Sequence, residues 1–164
     1  MAQTDLLMPW LSILDNTLIG SRLRREPLDK QKAKNLLESL SLGDHMHRTP
    51  SELSGGQRQR AALARTLMEE REVVLLDEPF SALDAGTRAQ MQELSSEWLR
   101  DRTVLHVTHD PAEAARLGEQ IWLLGGQGLR EIETPTAAIA RPVDDPQALT
   151  CQGQLLKLLR EVEI

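Results

Sequence analysis

Four consecutive apolar residues, Val73-Val74-Leu75-Leu76, run straight into two carboxylates, Asp77 and Glu78, and then Pro79. An uninterrupted apolar run bounded by charge on both sides is the pattern of a strand covered on both faces of a parallel sheet. Gly86 to Leu99 carries Met91, Leu94 and Trp98 at helical spacing, and Thr103 to Thr108 is a second β-rich run that ends at His109. A strand, helix, strand succession implies an α/β fold. It puts Asp77 and Glu78 at the carboxyl edge of the sheet, where open α/β sheets present their chemistry.

The flanking sequence fills in the organisation. Leu6, Leu7, Met8, Trp10, Leu11, Ile13 and Leu14 form an apolar opening broken by Pro9, which reads as a loop entering a helix at Ser12. Leu28 to Leu42 places Ala33, Leu36, Leu37 and Leu40 on one face of a predicted helix capped by Asp29 and terminated by Gly43. Ser54 is the expected cap of a helix from Gly55 to about Met68, and its Gly-Gly start exposes backbone donors. Asp110, Pro111 and Glu113 open another helix with cap, first-turn proline and capping-box acid. Ile121 to Leu124 and Leu129 to Glu133 flank Gly-Gly-Gln-Gly as a hairpin, and Asp145 and Pro146 start a terminal helix with Leu149, Leu156, Leu159 and Val162 along it. The division expected is a domain over residues 1–133 and a helical tail over 134–164.

Composition narrows the function classes. A formal charge of -6 argues against an extended nucleic-acid surface, although Arg22, Arg24 and Arg25 form a local basic cluster that could meet an acidic partner. With Cys151 alone, neither a disulfide framework nor a cysteine metal site can be assembled within the chain, which fits a reducing cytoplasm. No apolar run approaches the roughly 20 residues that cross a bilayer, so a membrane role is expected to run through a partner. His45 and His47 have no third ligand nearby and are read as exposed polar residues.

Phosphoryl transfer to water needs a metal to gather phosphate charge and a group to activate the attacking water. Adjacent strand residues point apart, so Asp77 can hold Mg²⁺, usually through water, while Glu78 acts as general base. His109, at the end of the neighbouring strand, could hydrogen-bond a terminal phosphate oxygen. Ser54, Gly55 and Gly56 present a hydroxyl and amides at a helix amino terminus, which favours an anion.

Taken in order, Leu53-Ser54-Gly55-Gly56-Gln57, Val73 to Glu78, Ser81-Ala82-Leu83-Asp84 and His109 resemble the ATP-binding cassette (ABC) ATPase family over nearly the whole chain. The resemblance implies that the pentad is the signature motif, including Gln57, that Asp77 and Glu78 close Walker B, that Ser81 to Asp84 form the D-loop, and that His109 is the switch histidine. It also makes Gln3 the Q-loop glutamine, contacting metal and attacking water. The implied fold is an incomplete P-loop NTPase fold, a parallel sheet core with a helical signature lobe. ATP and Mg²⁺ are the implied cofactors. The implied partners are a second ATPase subunit in a head-to-tail dimer, a membrane permease subunit and, indirectly, a substrate-binding protein, with the chain cytoplasmic and peripheral on the inner face of the membrane. Leu7-Met8-Pro9-Trp10 and Leu14-Asp15-Asn16 are similar to the importer branch serving nitrate, sulfonate, taurine or thiamine-precursor pyrimidine uptake, where Leu7, Pro9 and Trp10 would either dock the permease or pack the helical lobe.

One family element is missing: no Gly-Lys pair occurs, so no phosphate loop ending Gly-Lys-Ser/Thr can be drawn. Met1 therefore looks internal, and the chain resembles the carboxyl-terminal two thirds of a family member. The expectation is that these residues alone do not hydrolyse ATP and that the sheet strands keep unpaired edges and apolar surface. The alternatives are a non-catalytic partner or remnant, and the carboxyl half of a split chromosome or DNA-repair ATPase; the latter would carry long heptad arrays, which this sequence lacks.

Overall fold

A computed structural model describes residues 1–126 and 128–162. The backbone groups into two compact units, Met1–Val107 and Thr108–Ile164. The sequence reading divides the chain at 133 and 134 instead; the hairpin and the preceding helix group with the tail because the terminal helix packs against that helix and shares a core with the hairpin.

In the first unit, helices α1 (Ile13–Thr17), α3 (Lys30–Ser39) and α4 (Gly55–Leu67) pack on one another, with the short α2 (Ile19–Arg24) between α1 and α3 in the chain. Ile13, Leu18, Leu36, Leu37, Leu40, Leu42 and Leu63 are all essentially excluded from solvent. At about 25 cal/mol per Å² of apolar surface removed from water, this cluster is the main stabilisation of the helical part. Ser12 caps α1 by accepting from the Asp15 amide at 3.1 Å. Buried Asn16 fixes the Pro9-Trp10 turn, accepting from the Met8 amide at 2.7 Å and donating to the carbonyls of Met8, Leu11 and Ser12. Asp29 caps α3 as expected, but the helix stops earlier than Gly43. Ser41 takes φ 55, its amide donates to Glu38 and that of Leu42 donates to Leu37, so the left-handed stop falls two residues before the glycine, which opens a 3₁₀ turn instead.

Strands β1 (Val73–Asp77) and β2 (Thr103–Val107) pair in parallel, Val73 opposite Thr103 and Asp77 opposite Val107, joined by α5 (Ala85–Trp98). The expected two-faced burial of Val73 to Leu76 does not hold. Val74 and Leu76 are buried, whereas Val73 and Leu75 are 61% and 59% exposed, in line with Leu105 and Val107 across the pair. An apolar run records that both faces of a strand shun water; it does not say what covers them, and among the described residues one face is uncovered. Phe80, after the strand, is buried edge-on to His106 with ring centres 5.8 Å apart.

The second unit holds α6 (Pro111–Leu117), the antiparallel hairpin β3 (Ile121–Gly125) and β4 (Gly128–Ile132), and α7 (Pro146–Val162). Gly125 pairs with Gly128, which takes φ 101; Gln127 of the expected turn lies outside the described residues. Its core is Ala115, Ile121, Ile132, Ala148, Cys151 and Leu155. The face of α7 differs from the expected one: Leu149 and Leu156 are about half exposed, while Ala148, Cys151 and Leu155 turn inward. In a helix rich in leucine two adjacent stripes satisfy the same period, and packing on α6 selects one. The side chain of Val162 lies outside the described residues. Arg141 is buried and donates to the carbonyls of Ala115, Gly118 and Pro135, closing the end of α6 and the following loop.

Candidate functional site

The site begins at the carboxyl end of β1. Asp77 is the last strand residue, exposed, with its amide donating to the carbonyl of Met1 at 3.0 Å. Glu78 then leaves the ladder with φ 44, in the left-handed region that a residue with a Cβ seldom adopts. Its amide still bonds the Val107 carbonyl at 2.9 Å, so β2 holds the first residue of the turn. The side-chain amide of Gln3 lies against the Glu78 carboxylate, Nε2 to Oε2 3.3 Å, which joins residues 75 positions apart.

The serine-glycine-glycine start of helix α4 approaches the turn that follows Glu78, at Ala82 and Leu83. Ser54 Oγ accepts from the Gln57 amide at 3.2 Å and Gln57 Oε1 accepts from the Ser54 amide at 2.9 Å, a reciprocal capping box. Gln57 Nε2 lies 2.9 Å from His45 Nε2, so one of the two histidines read as exposed polar residues is half-buried support for the motif. The two glycines differ. A Cβ on Gly56 would meet the Ala82 carbonyl at 3.2 Å and Leu83 Cδ2 at 3.3 Å, whereas one on Gly55 would meet nothing closer than Arg58 Nη2 at 3.9 Å. Gly56 is therefore where the helix start approaches the turn after β1, and Gly55 faces open space.

Asp84 ends that turn as the cap of α5, accepting from the Thr87 amide at 3.0 Å. That bond, more than any charge, holds its carboxyl below the ordinary carboxylate range. His109 belongs to the second unit, exposed and one residue before Asp110, which caps α6 by accepting from Ala112 at 2.9 Å. The first unit thus brings Gln3 to Glu78, the neighbour of Asp77, and separately brings Gly56 of the Ser54 helix to the turn at Ala82 and Leu83.

Sequence reasoning overlooked the residues that hold these pieces. Gln59, 6% exposed, donates from Nε2 to the Glu78 carbonyl at 3.0 Å and to Ser81 Oγ at 3.1 Å, and accepts from the Ala82 amide at 2.8 Å. Arg58 pairs with Asp5 at 3.0 Å, and Arg65 donates to the carbonyls of Asp5 and Leu6 at 2.7 Å, so α4 grips the segment that follows Gln3. A usable signal existed: Gln59 falls in line with Leu63 and Leu67 on the buried stripe of α4, and a polar residue on an apolar stripe needs partners. Of the residues weighed as a docking surface, Leu7 is 8% exposed and belongs to the core, whereas Trp10 is 74% exposed.

The donor set suits the groups implied by the sequence. Asp77 is an exposed hard oxygen donor, the kind used by Mg²⁺, which keeps several waters and takes only one or two protein carboxylates. No group of three or more metal-ligating His, Cys, Asp or Glu side chains converges among the described residues. The amides of Gly55 and Gly56, first in α4, have no intrahelical partner and point where an anion is favoured. No helix among the described residues is long and apolar enough to cross a membrane.

The chain is similar to known proteins in sequence and in fold. A family model described as ABC transporter matches residues 1–81. An uncharacterized ABC transporter ATP-binding protein of Haemophilus influenzae is 46% identical over 164 residues, covering 96% of this chain and 68% of that protein. The aliphatic sulfonates import ATP-binding protein SsuB 1 of Rhodococcus jostii is 45% identical over 166 residues, covering 99% of this chain and 65% of the relative. Among solved structures, the ATP-binding cassette MJ0796, dimeric in a post-hydrolysis state with ADP and Pi, superposes with a TM-score of 0.68 at 30% identity, covering 85% of this chain and 61% of that one. The chain spans about two thirds of the length of these curated relatives. Its motifs, its parallel strand pair and these likenesses together show that it belongs to the ABC transporter family of ATP-binding proteins, with the P-loop NTPase fold of ABC cassettes.

Proposed function

We propose that the chain forms part of the ATP-hydrolysing subunit of an importer, with ATP turnover coupled to solute uptake through a membrane permease. The carrying observation is the contact of Gln3 with Glu78 at the end of β1, beside the turn that Gly56 touches. In this reading Glu78 is the general base, Gln3 orients it and the attacking water, Asp77 supplies a ligand to Mg²⁺, and His109 hydrogen-bonds the terminal phosphate. Bound Mg²⁺ would neutralise charge on the phosphate oxygens. Ser54, Gly55, Gly56 and Gln57 would close over ATP held by a second ATPase subunit, and Asp84 would shape the same interface as the cap of α5. The likeness to sulfonate-import relatives supports an importer of small anionic or polar solutes, with a substrate-binding protein delivering the solute and the ATPase held at the inner membrane face by the permease.

Because no Gly-Lys pair occurs in these 164 residues, the phosphate-cradling amides and lysine must come from elsewhere. The reading therefore predicts pairing rather than self-sufficient turnover. Sedimentation of the chain with an intact sulfonate-import ATPase subunit should show association that needs Mg²⁺ and ATP and is lost in Ser54→Arg. No ATP-dependent association, or association indifferent to Ser54→Arg, would overturn it, as would turnover by the chain alone that survives Glu78→Gln.

A further inference from the structure

We propose that Gln59 is a positioning residue that clamps the backbone of Glu78 in its left-handed conformation and thereby aims the carboxylate. The proposal rests on the reading of Glu78 as general base. Glu78 has a Cβ yet sits at φ 44, a conformation that persists only when its surroundings over-determine it. Its amide is tied to Val107 on one side. On the other, its carbonyl accepts from Gln59 Nε2 at 3.0 Å and Ser81 Oγ at 3.1 Å.

The orientation of the Gln59 amide is not free. The Ala82 N–H can only donate, so the oxygen of Gln59 must face it at 2.8 Å, which leaves Nε2 against the Glu78 carbonyl and Ser81 Oγ. One nearly buried side chain thus spans residues 78, 81 and 82 and ties them to the helix that begins at Ser54. A glutamine that merely satisfied itself in the core would not have to sit on the one residue of the site with strained backbone. The link is also directional: removing it frees a carbonyl whose own side chain meets Gln3.

Two substitutions separate the contacts in the full 164-residue chain. Gln59→Glu keeps an acceptor for the Ala82 amide but turns an acceptor toward the Glu78 carbonyl, and Gln59→Leu removes the contacts to Glu78, Ser81 and Ala82 alike. NMR should show the φ-sensitive coupling and ¹³Cα shift of Glu78 leaving the left-handed range in both variants. Exchange of the Ala82 amide should rise at least tenfold in Gln59→Leu and stay within about threefold in Gln59→Glu. If Gln59→Leu does not fold, Ser81→Ala, which removes the other side-chain donor to the same carbonyl, is combined with Gln59→Glu and read in the same way. Glu78 remaining left-handed in the glutamate variant, alone or with Ser81→Ala, would overturn the proposal. These readouts involve no nucleotide, so they stand apart from the ATPase reading, whose own failure would show as absent ATP-dependent pairing.

Discussion

Gly55 and Gly56 offer the same substitution at adjacent positions with opposite expected signs. Replacing either by alanine lowers the entropy lost on forming the first turn of α4, a gain of about 0.5 to 1 kcal/mol. At Gly55 nothing opposes it, since the nearest atom to a new Cβ is Arg58 Nη2 at 3.9 Å. At Gly56 the new methyl would stand 3.2 Å from the Ala82 carbonyl oxygen and 3.3 Å from Leu83 Cδ2, inside the roughly 3.5 to 4.0 Å at which such contacts are favourable. The turn would have to retreat by a few tenths of an ångström, stretching the 2.8 Å bond from the Ala82 amide to Gln59. Overpacking of this kind costs about 1 to 3 kcal/mol, and the contacts here belong at the lower half of that range. The two variants should therefore differ by about 1 to 2 kcal/mol, with Gly55→Ala the more stable. Urea unfolding in a Trp122→Phe background reads the first unit alone through Trp10 and Trp98. With a slope of about 2 kcal/mol per M, the midpoints should separate by about 0.5 to 1 M. Equal shifts in the same direction would refute the reasoning, because the turn after β1 would then be free to move away from the helix.

Arg141→Ala should cost the second unit at least about 3 kcal/mol, because three carbonyls, those of Ala115, Gly118 and Pro135, lose a buried donor; denaturation followed through Trp122 checks this, and Arg141→Lys should recover only part, since an ammonium cannot span all three. Acid should weaken the first unit through its caps. The carboxyl of Asp84 is depressed by the Thr87 amide and that of Glu52 by the Thr49 amide, so their contribution is present above the ordinary carboxylate range near ~4 and is lost as pH falls through the lower folded values. Asp84→Asn keeps a good cap and should flatten the pH dependence of the unfolding midpoint between about pH 5 and 2.

Much of the local architecture was legible because it depends on neighbours in the chain. The helix entry at Ser12, the caps at Asp29, Ser54 and Asp110, the helix that begins at Gly55, and the strands on either side of α5 all follow from short-range spacing and capping chemistry. The stop of α3 at Ser41 rather than Gly43 shows the limit of that rule: glycine is the easiest left-handed residue, yet burial of Leu40 and Leu42 decides where the helix must end. Likewise the inward stripe of α7 was ambiguous until α6 supplied a surface to pack on.

By itself the sequence singled out the residues proposed to carry chemistry, because a carboxylate pair at the end of an apolar run and a serine-glycine-glycine helix start are local patterns. Only tertiary structure decided how they are held. The Gln3 contact with Glu78 bridges 75 residues, and Gln59 reaches 19 to 23 residues along the chain to hold Glu78, Ser81 and Ala82. Hydrogen bonds between such distant positions are set by how α4 meets the turn after β1, and periodicity along the chain carries no record of that distance.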